Sequence, residues 1–364
     1  MKKILVTGGP VHAYLDSVKI ITNRFKGGLM AELADNLSGL AEVTYLSPAK
    51  LGSILPENQF ENINLIEHVG FEDYMRIVLE LAPQVDAVIL GAAVANLIPA
   101  NPFKGKFPSH NYKPGDIIPI DFTIAPRVID KIKKVAPKTH LFGFKLLDHV
   151  PHPELISAAY DIVLNSGATA VFANDAAILN QVYAVTKERG AHPLLRYELV
   201  HWIWLMLNDE YYKTELSESL FISPESHFRI QGIIEKFADR FTTVENGMIF
   251  GTVAVRYGNG FLTTGRGKRE LNHIVHVVNV AHDNRIVIIA GPRKASLNTP
   301  LLAKIFENHS VEHIVHYHEQ EKGLPSFPYA PPGTVRDTNR SNLTSFNILE
   351  HGCMLLFDKD GQRL

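Results

Sequence analysis

The chain has 364 residues, which at about 150 residues per domain is enough for two folded domains. Hydrophobic residues make up 46% and charged residues 20%, and 36 Lys and Arg against 38 Asp and Glu leave a formal charge of -2, so overall charge gives no argument for a nucleic-acid partner. The single cysteine, Cys353, excludes an internal disulfide and fits a reducing compartment; MKKILVTGG has no cleavable apolar region and no stretch reaches the about 20 apolar residues of a membrane span, so a cytoplasmic protein with no membrane partner is expected.

Ile4 to Thr7 is a β-branched apolar run that ends in Gly8-Gly9, the pattern of a buried strand feeding a glycine turn. Leu29, Leu33 and Leu37 then recur at helical spacing within Gly27 to Leu37, and Val43 to Leu46 predicts a second strand. Val85 to Leu90 enters Gly91-Ala92-Ala93, and Ala170 to Ala173 enters Asn174-Asp175. Strands ending in small or polar residues predict one parallel sheet with a ligand rim at its carboxyl edge. Tyr197 to Leu207 reads as a closing helix, and the polar stretch Asn208 to Glu225 as the junction, giving domains over 1–210 and 222–364. The second half is mixed α/β, with a helix near Ile230 to Phe241 and strands at Met248 to Tyr257, Phe261 to Thr264, Ile286 to Ile289 and Met354 to Phe357. Pro325 to Gly333 reads as a proline-rich loop.

Two groups of residues suggest chemistry. Gly8-Gly9 after a strand fits a phosphate turn, although the G-x-G-x-x-G dinucleotide fingerprint is missing. In LDSVKIITNRFKGG, the cations Lys19, Arg24 and Lys26 surround Asn23 and lead into Gly27-Gly28 at a helix start, where backbone amides favour an anion. In the second half, His316 and His318 flank Tyr317 at the end of an apolar run, so an extended strand points both imidazoles to one face. His351, before Gly352 and another strand, is a candidate third ligand for one zinc with an open fourth position. With 17 histidines in the chain, the alternative is structural packing.

Taken in order, VTGG, LDSVKIITNRFKGG, AEVTYLSP, GAAVANLIPA, FKGKF, FGFK, FAND and NQVYAVT resemble the phosphopantothenate-cysteine ligase domain, also known as the DNA/pantothenate metabolism flavoprotein C-terminal domain, over about residues 1–207. The resemblance implies a Rossmann-like doubly wound parallel sheet. It also implies acyl-nucleotide formation from a phosphorylated carboxylate and CTP or ATP with Mg2+, followed by attack of an amine. Asn23 then orients the acyl group, and Lys104 and Lys106 neutralise charge on the phosphates. Gly8, Gly9, Lys19, Gly27, Gly28, Ala92, Ala93, Phe144, Lys145, Asn174 and Asp175 would bind nucleotide, the last two against cytosine and ribose. The chain departs from the family at Lys19, where an arginine is usual, at Asn96 and at Phe144-Lys145-Leu146.

FGTVAVRYGNGFLTTGRG, GPRKASLNTP, VEHIVHYH, YAPPGT and ILEHGCMLLF resemble the class II aldolase/adducin family over about 227–364, which implies an α/β class II aldolase-like domain. The resemblance places Zn2+ on His316, His318 and His351, with a phosphorylated keto-sugar held at Gly251-Thr252 and Thr264 to Gly267. Asn298 stands where the family carries its acid-base glutamate, and an amide cannot accept that proton. Glu319 and Glu350 adjoin the histidines as substitutes. Three functions follow: a ligase, a zinc-dependent lyase or epimerase, and a non-catalytic assembly protein. Both resemblances imply a homo-oligomer.

Overall fold

The computed structural model describes residues 1–48, 52–58, 61–178, 180–188, 190–217, 223–244, 247–291 and 293–364. The expected second-domain start at residue 222, part of the junction before it and Pro292 of GPRKASLNTP lie outside the described residues. The chain divides into two compact units, Met1–Leu207 and Asn208–Leu364.

The first unit is a doubly wound sheet. Its strands are β1 (Lys3–Thr7), β2 (Glu42–Ser47), β3 (Ile63–Glu67), β4 (Ala87–Leu90), β5 (His140–Leu147), β6 (Ala170–Asp175), β7 (Gln181–Val185) and β8 (Ala191–Leu195). They lie in the order β8-β7-β6-β5-β4-β1-β2-β3. The six from β1 to β6 are parallel, whereas β7 and β8 add an antiparallel edge that a purely parallel sheet does not predict. Burial on both faces explains why β1 is apolar without alternation. Leu5 packs with Leu46, Tyr74, Val88 and Leu141 on one face, while Ile4 and Val6 pack with Leu33, Tyr45, Ile89 and Phe142 on the other.

Helices α1 (Gly28–Ser38), α2 (Gly70–Leu81), α3 (Ile129–Val135), α4 (His152–Ser166) and α5 (Leu199–Asn208) cover those faces. In α1, buried Met30, Leu33, Ala34 and Leu37 form one stripe at the helical period. The α2 stripe of Phe71, Tyr74, Ile77 and Val78 has the same origin. Strand order reverses between β1 and β4, so their diverging connections leave a crevice at the carboxyl edge.

The second unit is a nine-stranded, mainly antiparallel sheet. Its strands are β9 (Lys213–Leu216), β10 (Thr252–Tyr257), β11 (Gly260–Thr264), β12 (Ile274–Ala281), β13 (Ile286–Ala290), β14 (His313–Tyr317), β15 (Ser326–Phe327), β16 (Phe346–Ile348) and β17 (Gly352–Phe357), in the order β9-β13-β12-β11-β10-β14-β17-β16-β15. Helices α6 (Pro224–Lys236) and α7 (Thr299–Phe306) pack with it. The α6 helix begins earlier than the expected Ile230, because Ser223 caps it by accepting from Ser226 N and Pro224 occupies its first turn. The expected strand from Met248 is broken at Gly251, whose φ is 130°. Ser326 and Phe327 turn part of the proline-rich loop into an edge strand. Among the described residues, no helix is long and apolar enough to cross a membrane.

Candidate functional sites

In the first unit, the glycines before α1 meet the glycines after β1. Gly27 has φ 88°, and a Cβ there would lie 2.3 Å from Gly9 N. Only glycine satisfies both the left-handed backbone and that approach. Gly8 N donates to Leu46 O at 3.0 Å, and Gly9 has φ 74°. No side chain caps the N-terminus of α1 at Gly27, and the helix dipole there favours negative charge.

The loop after β4 completes the crevice. Gly91 N donates to Thr7 O at 3.2 Å and Ala93 N to Gly9 O at 2.9 Å. Ala92 N reaches Thr7 Oγ1 at 3.3 Å, and Asn23 Nδ2 donates to Ala93 O at 3.0 Å. These bonds bring Gly8, Gly9, Asn23, Gly27, Gly28, Ala92 and Ala93 together at the point where strand order reverses. Asn23 is half-buried and retains its amide oxygen for a ligand.

Lys19 has a different partner from the anion expected. Its Nζ lies 2.9 Å from Asp16 Oδ2, and Asp16 also accepts from the backbone N of Val18, Lys19 and Phe107. Those backbone bonds, led by Lys19 N, hold the carboxyl well below its usual range. Asp16 therefore ties two loops together: Phe107 N donates to it, and Ser17 N donates to Gly105 O at 3.1 Å. Lys104 and Lys106 flank that anchored Gly105 and are exposed. Asp16 was missed in the sequence, although an Asp followed by Ser and a Lys three residues on is the local signature of such a turn.

The remaining nucleotide candidates lie further along the same edge. Asn174 and Asp175 end β6, three strands from β1, or about 14 Å at ordinary strand spacing. Asp175 accepts from His149 N at 2.9 Å, Val150 N at 3.1 Å and Ala177 N at 2.8 Å. These bonds, led by that from Ala177, lower its pKa and commit the carboxylate to shaping the turn after β5, so Asn174 has the freer side chain. Phe144 is half-buried and packs its ring against Phe172 at 5.1 Å. Lys145 is half-buried opposite Ala173.

Behind the crevice, His12 and His68 are each 3% exposed, with stacked rings 6.5 Å apart. Burial, and then His12, push the His68 pKa down to about 4. An unfolded histidine takes its proton near 6.5, so between 6.5 and 4 the unfolded chain binds more protons and stability falls as pH falls. The expected loss from His68 is about 2 kcal/mol by pH 5. Urea midpoints measured from pH 7 to 5 should drop less in His68→Leu than in the parent; an identical acid limb would contradict the assignment.

In the second unit, His316, His318 and His351 each offer a ligand atom, and these atoms all lie within 4.8 Å of one another. Strand period explains the first two, since β14 places His316 and His318 on one face. Gly352 explains the third: its φ is 134°, and a Cβ would lie 2.0 Å from Tyr317 O, so only a bare backbone lets His351 approach. Ring centroids are 5.1, 5.0 and 4.7 Å apart around the triad. His316 and His351 are buried, and His318 is half-buried at the mouth.

His316 Nδ1 donates to Cys353 O at 2.8 Å, which fixes the tautomer and leaves Nε2 as an acceptor. That Nε2 is buried and has no hydrogen-bond partner. Burial, and less strongly Lys268, push the His316 pKa down to about 4, so the ring is a neutral ligand at neutral pH. Three imidazole nitrogens from His316, His318 and His351 would hold Zn2+ and leave a fourth position open. An orphaned neutral Nε2 beside two more imidazoles thus fits a borderline-soft dication.

Asn298 is buried at the start of α7, and its Oδ1 has no partner. Ser296 Oγ lies 2.8 Å from Thr252 Oγ1, and Thr252 is in register with His316, which places the Ser296 to Asn298 turn beside the triad. Glu319 does not substitute for the missing acid, because Arg240 pairs with it at 3.2 Å. Glu350 is exposed, with φ 54°.

The DNA/pantothenate metabolism flavoprotein C-terminal domain model matches residues 1–192. The chain belongs to this family. It is 31% identical over 176 residues to the coenzyme A biosynthesis bifunctional protein CoaBC of Thermococcus kodakarensis, a match that spans 48% of this chain and 41% of that protein. Two solved structures of a Cab2 mutant, one in complex with phosphopantothenate-cysteine, share 15% identity at TM-scores of 0.50 and 0.51, covering 57% of this chain and 86% of theirs. They agree with the doubly wound fold of the first unit. An L-fuculose 1-phosphate aldolase matches 38% of this chain and 78% of its own at 15% identity and a TM-score of 0.28.

Proposed function

We propose that the first unit is a nucleotide-dependent carboxylate-amine ligase of the phosphopantothenate-cysteine type. The carrying observation is the joint glycine cradle: Gly9 and Gly27 meet backbone to backbone before an uncapped α1, with Asn23 fixed to Ala93 beside it. The substrate carboxylate attacks the α-phosphorus of CTP or ATP and pyrophosphate leaves; the amine of cysteine then attacks the acyl carbon, releasing nucleoside monophosphate and a proton. Mg2+ would accompany the triphosphate and offset its charge. In this reading exposed Lys104 and Lys106 stabilise the departing phosphates, and Asn23 orients the acyl group.

Calorimetry with CTP and with ATP in the presence of Mg2+ tests this reading, followed by assay of pyrophosphate release with phosphopantothenate and cysteine. Asn23→Ala should lower turnover about a hundredfold, the scale of losing one polar stabiliser. The double Lys104→Ala, Lys106→Ala variant should weaken triphosphate binding at least tenfold. Unchanged affinity in that double variant would remove the lysine loop from the mechanism.

The second unit supports its own reading, carried by the orphaned Nε2 of His316 within the three-histidine cluster. It is a Zn2+ site of class II aldolase type, acting as a lyase or epimerase on a phosphorylated keto-sugar. Zinc, when bound, polarises a carbonyl, and the turns at Gly251-Thr252 and Thr264 to Gly267 receive the phosphate. A bifunctional homo-oligomer in the cytoplasm is the corresponding whole-protein proposal. Exposed Leu97, Phe122 and Ile124 on the paired strands Leu97–Pro99 and Phe122–Ile124 supply apolar surface for self-association.

A further inference from the structure

Lys268 is an unusual lysine. It is 4% exposed, and no carboxylate pairs with it among the described residues. Its Nζ donates to Gly251 O, the carbonyl that immediately precedes Thr252. Thr252 in turn lies in register with His316 on the neighbouring strand, and the charge of Lys268 is felt at that ring. The backbone around Lys268 is fixed as well, because Ile249 N donates to Lys268 O at 2.8 Å. A buried ammonium lacking an acid partner carries an uncompensated desolvation penalty, so the amine tends toward its neutral form. Here burial pushes the group down to about 8.

The Ser296 to Asn298 turn, which meets Thr252 through Ser296 Oγ, lacks a base. Asn298 has an amide in the region where a glutamate was expected, and Glu319 is held by Arg240. We propose that Lys268 is the proton-transfer residue of the three-histidine site, taking over the role that Asn298 cannot perform. This inference rests on the reading of the second unit as a zinc site for phosphorylated keto-sugars. The neutral amine removes a proton from the substrate carbon next to the carbonyl; the electron pair of that C–H bond stays with the substrate, and Nζ becomes an ammonium. The same ammonium returns the proton to carbon, so no oxidant, reductant or further reactant is consumed. A dication at the triad reinforces the arrangement, since it repels an ammonium and favours the amine.

The test uses the full chain loaded with zinc and dihydroxyacetone phosphate as the probe. Three quantities are measured: zinc per chain by elemental analysis, probe binding by calorimetry, and exchange of probe C–H for deuterium by NMR in D2O. The parent should hold one zinc and exchange the probe. Lys268→Met should keep zinc and bind the probe within about threefold, yet exchange at least about a hundredfold more slowly, the lower end of the range for general-base catalysis. Lys268→Cys alkylated with 2-bromoethylamine restores an amine at nearly the same reach and should regain exchange, which separates loss of the base from loss of the fold. Exchange unaffected in Lys268→Met overturns the assignment, and so does loss of probe binding together with exchange, which would make Lys268 a phosphate anchor. Zinc bound by a parent that does not exchange the probe also overturns it while leaving the metal reading intact. A parent that binds no zinc sinks the metal reading itself, and this inference falls with it.

Discussion

Replacing Gly27 with alanine should destabilise the first unit by about 3 kcal/mol or more and abolish its triphosphate binding. The left-handed backbone, φ 88°, costs a side-chain-bearing residue about 1 to 2 kcal/mol. Placing a methyl 2.3 Å from Gly9 N and 2.8 Å from Gly9 Cα then forces two backbone segments apart, an overpacking loss of about 1 to 3 kcal/mol. Backbone has no rotamer with which to yield, so the movement must displace either the turn after β1 or the start of α1. Gly28→Ala is the internal control: its nearest neighbour would be the far end of Ile54, at 3.3 Å, and its φ is not in the left-handed region. Urea midpoints and nucleotide calorimetry on the two variants should therefore diverge. Equal behaviour would show that the Gly9 to Gly27 approach does not define the cradle.

The same glycines show why the fold was largely legible and the site only in part. Apolar runs such as Ile4 to Val6 specify buried parallel strands because both faces must be covered, and Leu29, Leu33 and Leu37 specify α1 by period. The α2 helix carries the same periodic signal in Phe71, Tyr74 and Val78, and α4 carries it in Leu155, Ala159 and Val163, although neither adjoins a motif. Side-chain partnership is what sequence hides. Lys19 looked like an anion-binding cation, but Asp16, three residues earlier, receives its ammonium and locks the loop. Asp175 looked like a ribose ligand, but three backbone amides converge on it. A charged residue's nearest partner is decided by loop geometry, which composition and spacing do not encode. Lys268 escaped notice for the opposite reason, since a lysine amid Arg266, Gly267 and Arg269 reads as ordinary surface until its burial is known.

The metal reading makes the second large prediction. His316→Ala should reduce zinc from about one per chain to a trace, with affinity lowered by about a thousandfold or more, because a three-ligand site loses its most buried donor and the partner that Cys353 O orients. Zinc added to the parent at a thousandfold excess over Kd should raise stability by about 4 kcal/mol, and that gain should vanish in the variant. A geometric control removes no ligand at all. Gly352→Ala keeps all three imidazoles but demands φ 134° of an alanine and a Cβ 2.0 Å from Tyr317 O, so β17 must shift and His351 moves with it. If the triad acts by convergence, Gly352→Ala should lose zinc nearly as completely as His316→Ala. Cys353→Ser should retain it, because His316 is oriented by the backbone carbonyl at that position and not by the thiol. Zinc retained at full stoichiometry in both His316→Ala and Gly352→Ala would place the metal elsewhere and return the three histidines to a packing role.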